Sequence, residues 1–226
     1  LVILDTYYSY VYVYDSVTKT LGSGVSTCSV SVSVLPIVTG TKFILFCGTG
    51  NGYGSTAANL LDASTGKLDT SFTPKSSDSY PYGLGGVVVD GGKTLILATS
   101  LYEMRAFDIS SSPASSATVQ WTLSRATGTS SGIQALTSLP VVYDDKVYFT
   151  ATGYFYPEGT ESTLFTIPAT GDVSTVTPTT VLKLGATNSD SVFKTLSVKT
   201  GGSFGTGMLY VIGATNITAV SLVSEE

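Results

Sequence analysis

Apolar and polar residues alternate with a period of two through much of the chain, most clearly at Ser29-Val30-Ser31-Val32-Ser33-Val34. Such a run puts the valines on one face and the serines on the other, as in a half-buried strand. No stretch keeps apolar residues at i, i+3, i+4 and i+7 behind a capping residue, so helices are not expected. The pattern predicts strands at 2–6, 10–15, 19–23, 28–38, 42–48, 56–62, 69–73, 84–89, 94–99, 102–108, 118–123, 134–143, 146–152, 162–168, 173–176, 180–185, 191–199, 208–213 and 216–222. Gly, Ser, Asp and Pro cluster between them, as tight turns require. Gly85 to Asp108 is the most regular copy of the unit: three strands, the first two joined through Asp90-Gly91-Gly92.

An apolar strand ending in an Asp-type turn recurs. It is seen at Val13-Tyr14-Asp15-Ser16, at Leu60-Leu61-Asp62-Ala63-Ser64-Thr65-Gly66-Lys67 and at Ala106-Phe107-Asp108-Ile109-Ser110. Changed copies follow at Phe165-Thr166-Ile167-Pro168-Ala169-Thr170-Gly171-Asp172 and Ala219-Val220-Ser221. These landmarks lie 47, 46, 60 and 53 residues apart. A period of about 40 to 50 residues with four strands per unit is the mark of a β-propeller. Each Asp is expected to cap its turn by accepting hydrogen bonds from backbone N–H groups two residues on. The expectation is therefore an all-β chain, a single β-propeller-like domain over residues 1–226 with about five four-stranded blades, incomplete at both ends. The first unit lacks its innermost strand and the last stops after its third, so either the strand count is off by one or two, or the chain is cut from a larger propeller, or a neighbouring subunit adds strands to the open edges. A start at Leu1 in place of Met suggests processing or a fragment.

The turn Leu61 to Leu68, echoed by Pro168 to Asp172, resembles the repeat of quinoprotein-like (pyrroloquinoline-quinone-type) β-propellers. The resemblance implies the architecture. In that family a tryptophan near the end of the outermost strand docks successive blades, and Trp121 lies where such a residue would sit. The adjacent cysteines and the Asp, Glu and Asn ligand cluster of the cofactor-binding members are not found in this sequence, so no cofactor is expected.

Charge narrows the function classes. With 11 basic and 16 acidic residues among 226, the net charge is -5. Scattered lysines and arginines give no patch able to displace phosphate counterions, so nucleic acid is not an expected partner. No window of about 18 apolar residues marks a membrane span. Charged residues make up only 12% of the chain, and Ser and Thr carry much of the polar surface, a composition associated with extracellular or cell-surface β proteins.

Histidine is absent, which removes the commonest general base, zinc ligand and partner for a nucleophilic serine. Asp144-Asp145 reads as a two-residue hairpin turn, and no stretch has the ligand spacing of a calcium loop. Gly48 to Gly54 departs from the dinucleotide fingerprint at Tyr53 and reads as a loop, as does Gly201 to Gly207. Cys28 and Cys47, the two cysteines, are candidates for a disulfide, although hairpin register around Thr39-Gly40-Thr41 sets them four or more positions apart. Two buried thiols are the alternative. Asn216-Ile217-Thr218 is an N-glycosylation acceptor sequence. Tyr10, Tyr12 and Tyr14 share one face of a strand and either pack blade against blade or form an interface.

The sequence thus points to a non-catalytic extracellular propeller module that binds or self-assembles, as in a surface layer or filament. Its partners would be other copies or extracellular proteins, or glycans. The alternatives are a fragment of a quinoprotein-like or carbohydrate-active propeller enzyme, and a lectin-like module.

Overall fold

The computed structural model describes residues 1–5, 10–26, 37–39, 42–48, 55–62, 64–72, 85–100, 103–110, 118–124, 135–152, 162–184, 195–201, 207–213 and 215–222. Among them are twenty strands and no α-helix. They form five small sheets in which antiparallel strands follow one another in chain order. The first holds β1 (Val2–Asp5), β2 (Tyr10–Asp15), β3 (Thr20–Leu21) and β4 (Val25–Ser26), the last two both paired with β2. The second is β5 (Ile37–Thr39), β6 (Lys42–Gly48), β7 (Ser55–Asp62) and β8 (Leu68–Phe72). The third is β9 (Gly86–Val89), β10 (Thr94–Ser100), β11 (Glu103–Asp108) and β12 (Thr118–Ser124).

In the fourth sheet β13 (Ala135–Leu136) and β14 (Val141–Tyr143) both pair with β15 (Lys146–Thr152), followed by β16 (Ser162–Pro168) and β17 (Thr179–Lys183). The fifth has three described strands, β18 (Thr195–Lys199), β19 (Met208–Ile212) and β20 (Ile217–Ser221). By contacts the chain divides into two compact units, Leu1–Ser100 with Arg105–Gln120, and Leu101–Met104 with Trp121–Glu226.

Alternation explains how the first unit is layered. On β6, Phe43 and Leu45 point one way and cluster with Val11 of β2 and Leu61 of β7. Ile44, between them, points the other way with Leu60 and meets Leu95, Leu97 and Phe107 of the third sheet. Both faces of the second sheet are therefore buried, and each fully enclosed Leu, Ile or Phe contributes about 1.5–3 kcal/mol. In the second unit Leu164 and Tyr148 of the fourth sheet pack with Leu196, Leu209 and Val211 of the fifth. Phe149 and Phe165, opposite one another on β15 and β16, stack at 5.9 Å between ring centroids.

The turns form as their residues dictate. Asp144 and Asp145 have φ of 49° and 53° and join Tyr143 to its partner Lys146, a two-residue turn whose twist suits a hairpin. Asp90, Gly91 and Gly92 also have positive φ and connect Val89 to Thr94. Gly86 answers a different demand. A Cβ there would lie 2.0 Å from the Ile96 carbonyl oxygen.

Several strands differ from expectation. Residues 173–176 form a turn, with Val176 N–H bonded to the Val173 carbonyl at 3.0 Å. Gly171 at φ 83° and the Asp172 carboxylate bend the chain there, while Val173 is buried as a plug. The run 134–143 is split into β13 and β14 around Pro140, which has no N–H to give to a ladder. After β3 the chain passes Gly22 to Gly24 and pairs again as β4. Of the expected strand 28–38 only its last residues fall among those described, in β5.

Candidate functional site

The first sheet carries the aromatic row. In β2, Val11 faces the second sheet and is fully buried, and both valines of the strand lie against Gly66, whose added Cβ would sit 3.3 Å from Val13 and 3.6 Å from Val11. Tyr10, Tyr12 and Tyr14 must then occupy the opposite face. Directly paired residues share a face, so Ile3, opposite Tyr12, and Leu21, opposite Tyr14, join the row. Leu1 joins as well, because it exchanges backbone hydrogen bonds with Tyr14 at 2.7 and 3.0 Å.

This face is open. Leu1 is 77% exposed, Leu21 55%, Ile3 42% and Tyr10 37%. Single exposed apolar residues are ordinary, whereas a contiguous patch marks an interaction surface. The Tyr10 and Tyr12 rings lie 6.3 Å apart, tilted by 34°. Both rest over Gly24, where a Cβ would be 2.7 Å from Tyr12 and 3.0 Å from Tyr10. The glycine thus lets two rings lie against backbone. The alternating sequence reveals the tyrosine face, but the contributions of Leu1, Ile3, Leu21 and Gly24 depend on pairing that no local signal encodes.

Carboxylates are used in the turns. Asp15 Oδ1 accepts from Val17 N–H at 2.8 Å, and Oδ2 accepts from the Thr18 hydroxyl at 2.8 Å. Asp62 Oδ1 accepts from Ser64 N–H and Thr65 N–H, both at 2.9 Å, and from the hydroxyls of the same two residues. Asp108 Oδ1 accepts from Ser110 N–H at 2.8 Å and its hydroxyl at 2.6 Å. Asp172 Oδ1 accepts from Ser174 N–H at 2.9 Å. Hydrogen bonds to the charged form hold all four below the ordinary carboxylate value, the side-chain partner being the largest cause in each: Thr18, Ser64, Ser110 and Ser174. The expected cap two residues on is present at Asp15, Asp62 and Asp108, while residue 223, two beyond Ser221 of the fifth copy, lies outside the described residues. In the fourth copy it has moved from the strand end, where Pro168 stands, to Asp172.

Among the described residues no group of three His, Cys, Asp or Glu is placed to hold a metal ion. A second polar feature, missed in the sequence, lies inside the fourth sheet. Thr137 donates to the Thr150 hydroxyl at 2.8 Å and lies 3.4 Å from the Ser162 hydroxyl, while Ser138 Oγ accepts from Thr150 N–H at 2.8 Å. All four residues are buried. Such hydroxyls tolerate burial because they satisfy one another.

The other candidates are placed as follows. Asn216 is exposed in the turn between β19 and β20, its carbonyl accepting from Gly213 N–H at 2.8 Å. Cys47 lies on β6 opposite Ala57; Cys28 lies outside the described residues, as do Tyr53, residues 49–54 and residues 202–206 of the two glycine loops. Trp121 sits in β12, the fourth strand of its sheet, and is buried.

No protein-family model matches the sequence, and no curated protein matches it. Among solved structures, BamB from Moraxella catarrhalis superposes over 96% of this chain and 54% of its own, with a TM-score of 0.54 at 12% identity. The fold is that of a β-propeller. Its small antiparallel sheets are blades, and the chain spans about half the length of the BamB chain it matches. Similarity extends to the WD40 domain of SCAP from fission yeast (TM-score 0.46, 11% identity, 100% of this chain and 53% of that one). A quinohemoprotein alcohol dehydrogenase from Comamonas testosteroni is also similar (TM-score 0.41, 15% identity, 70% of this chain and 21% of that one). The likeness to BamB covers architecture alone, which is also what the turn at Leu61 to Leu68 implied. Among the described residues of this propeller no helix is long and apolar enough to cross a membrane.

Proposed function

We propose that this propeller is a non-catalytic module of the extracellular space or cell surface that works by binding and self-assembly. The observation that carries the reading is the set of exposed side chains on one face of the first blade, Leu1, Ile3, Tyr10 and Leu21, beside the half-buried Tyr12 and Tyr14. Tyrosine suits such a role because it offers a large rigid surface and a hydroxyl. Two further facts support it. The chain has no histidine, and Asp15, Asp62, Asp108 and Asp172 are engaged in turns, where lowered pKa values suit a cap better than a general acid or base. The partner is a second copy or another extracellular protein, and the exposed Asn216 is an acceptor for a glycan.

Sedimentation velocity over a wide concentration range tests this reading. Species larger than 23.4 kDa should grow with concentration, and replacing both Ile3 and Leu21 with Ser should reduce them. A single monomeric species at every concentration contradicts it. A lectin-like reading is favoured by one observation, the Tyr10–Tyr12 ring pair backed by Gly24. Glycan-array binding that disappears in Tyr12→Ser would support it, and an array without hits would remove it.

A further inference from the structure

Tyr10 and Tyr12 carry a chemistry that apolar contact alone does not use. Their ring centroids are 6.3 Å apart and the rings are tilted by 34°. The point that a Gly24 Cβ would occupy lies 2.7 Å from Cε1 and 3.0 Å from Cζ of Tyr12, and 3.0 Å from Cδ1 of Tyr10. The oxygen-bearing end of one ring and the side of the other therefore converge on a single point, which glycine leaves empty. Tyr10 is 37% exposed and Tyr12 half-buried, so a reagent in solution can reach the pair.

The strands fix this arrangement. On one side of β2, Asp5 lies opposite Tyr10 and Ile3 opposite Tyr12. On the other side Leu21 of β3 lies opposite Tyr14, Val25 of β4 opposite Val11 and Ser26 opposite Tyr10. Val13 and Tyr12 are thus faced by Gly22, Ser23 and Gly24, three residues against two, the count of a β-bulge. Because Gly22 N–H still bonds to the Val13 carbonyl at 2.9 Å, the extra residue falls beside Tyr12. Bulges re-aim side chains, and this one brings Gly24 under both rings.

Two phenols held side by side are the reactants of an oxidative coupling. We propose that Tyr10 and Tyr12 are a cross-linking site, joined within one chain as a dityrosine. The co-reactant is hydrogen peroxide, acting through a one-electron oxidant of the haem-peroxidase class. Each phenol gives up one electron and its O–H proton and becomes a phenoxyl radical, whose unpaired spin spreads to the Cε carbons beside the oxygen-bearing Cζ. A Cε–Cε bond then forms between the rings. Each joined carbon loses its hydrogen as a proton while each oxygen takes one back, so both rings are phenols again. Hydrogen peroxide accepts the two electrons and two protons released overall and leaves as two waters. Proximity selects this pair, since reactants held together behave as if at very high concentration. The bond lies within one chain, so the proposal goes beyond the self-assembly reading and does not depend on it.

The test treats the full chain, diluted to suppress encounters between copies, with a haem peroxidase and hydrogen peroxide. The expected product is a monomer lighter by two hydrogens that shows dityrosine fluorescence. Cleavage after Lys19, the first basic residue, releases residues 1–19. That peptide should carry the whole mass loss and yield no fragments from backbone cuts between Tyr10 and Tyr12, because the ring bond holds the two halves together. Tyr10→Phe and Tyr12→Phe keep the rings and should each lose the product, whereas Tyr14→Phe should retain it. Gly24→Ala of unchanged circular dichroism should lower the yield, since its methyl takes the point that the rings share. A monomer of unchanged mass, coupling only between copies, or a bond mapped to other tyrosines overturns the proposal. Undiminished product in Tyr10→Phe or Tyr12→Phe does the same.

Discussion

Gly86→Ala tests how closely β9 and β10 approach in the most regular blade. The new methyl would lie 2.0 Å from the Ile96 carbonyl oxygen and 2.6 Å from Leu97 Cδ2. Leu97 can turn aside, but the carbonyl belongs to a backbone fixed by the β9–β10 register, in which Gly86 faces Leu97 and Val87 faces Ile96. Relief therefore requires the strands to separate, next to the cluster of Ile44, Leu60, Leu95 and Phe107. Overpacking commonly costs about 1–3 kcal/mol, and a clash with backbone belongs at the upper end, about 3 kcal/mol. For a chain of this size that lowers Tm by roughly 6–12 °C. Gly171→Ala is the comparison: nothing lies within 4 Å of its Cβ, and its φ of +83° leaves backbone strain alone, worth about 1–2 kcal/mol. Differential scanning calorimetry of both variants decides the matter. A Gly86→Ala protein melting within about 2 °C of wild type would refute the close approach.

Two further outcomes follow from the turns and the buried hydroxyls. Because the pKa values of Asp15, Asp62, Asp108 and Asp172 are lowered by folding, their contribution is present above the ordinary carboxylate value of about 3.9 and is lost as pH falls through the lower folded values. A fourfold Asp→Asn variant keeps the side-chain acceptor and should flatten the fall in Tm between about pH 5 and pH 2; an unchanged acid profile would show that the caps do not set it. Thr150→Val leaves Thr137 with Ser162 alone, at 3.4 Å, and should destabilise by about 1–3 kcal/mol in urea unfolding, with no loss of stability as the contrary result.

The propeller repeat was legible because its signals are local. Period-two alternation and an Asp that caps N–H groups two residues on need no knowledge of the rest of the chain, and Asp15, Asp62 and Asp108 all do so in the structure. Reading failed where local pattern and backbone chemistry disagreed. Val173 to Val176 carries the β-branched residues of a strand, but Gly171 and Asp172 bend it into a turn. Glycines such as Gly24 and Gly86 could not be singled out from the many others, because their need arises only when a ring or a carbonyl from another strand arrives. The tyrosine row was visible as a face of β2. How far each ring is covered was not, since Tyr10 is exposed and Tyr12 and Tyr14 are half-buried.

Negative-stain microscopy of the chain at increasing concentration tests self-assembly of the propeller most directly. Assemblies that grow with concentration, and that are reduced in an Ile3→Ser, Leu21→Ser double variant of unchanged circular dichroism, are the predicted result. Separate particles of one 23.4 kDa chain at every concentration would contradict it.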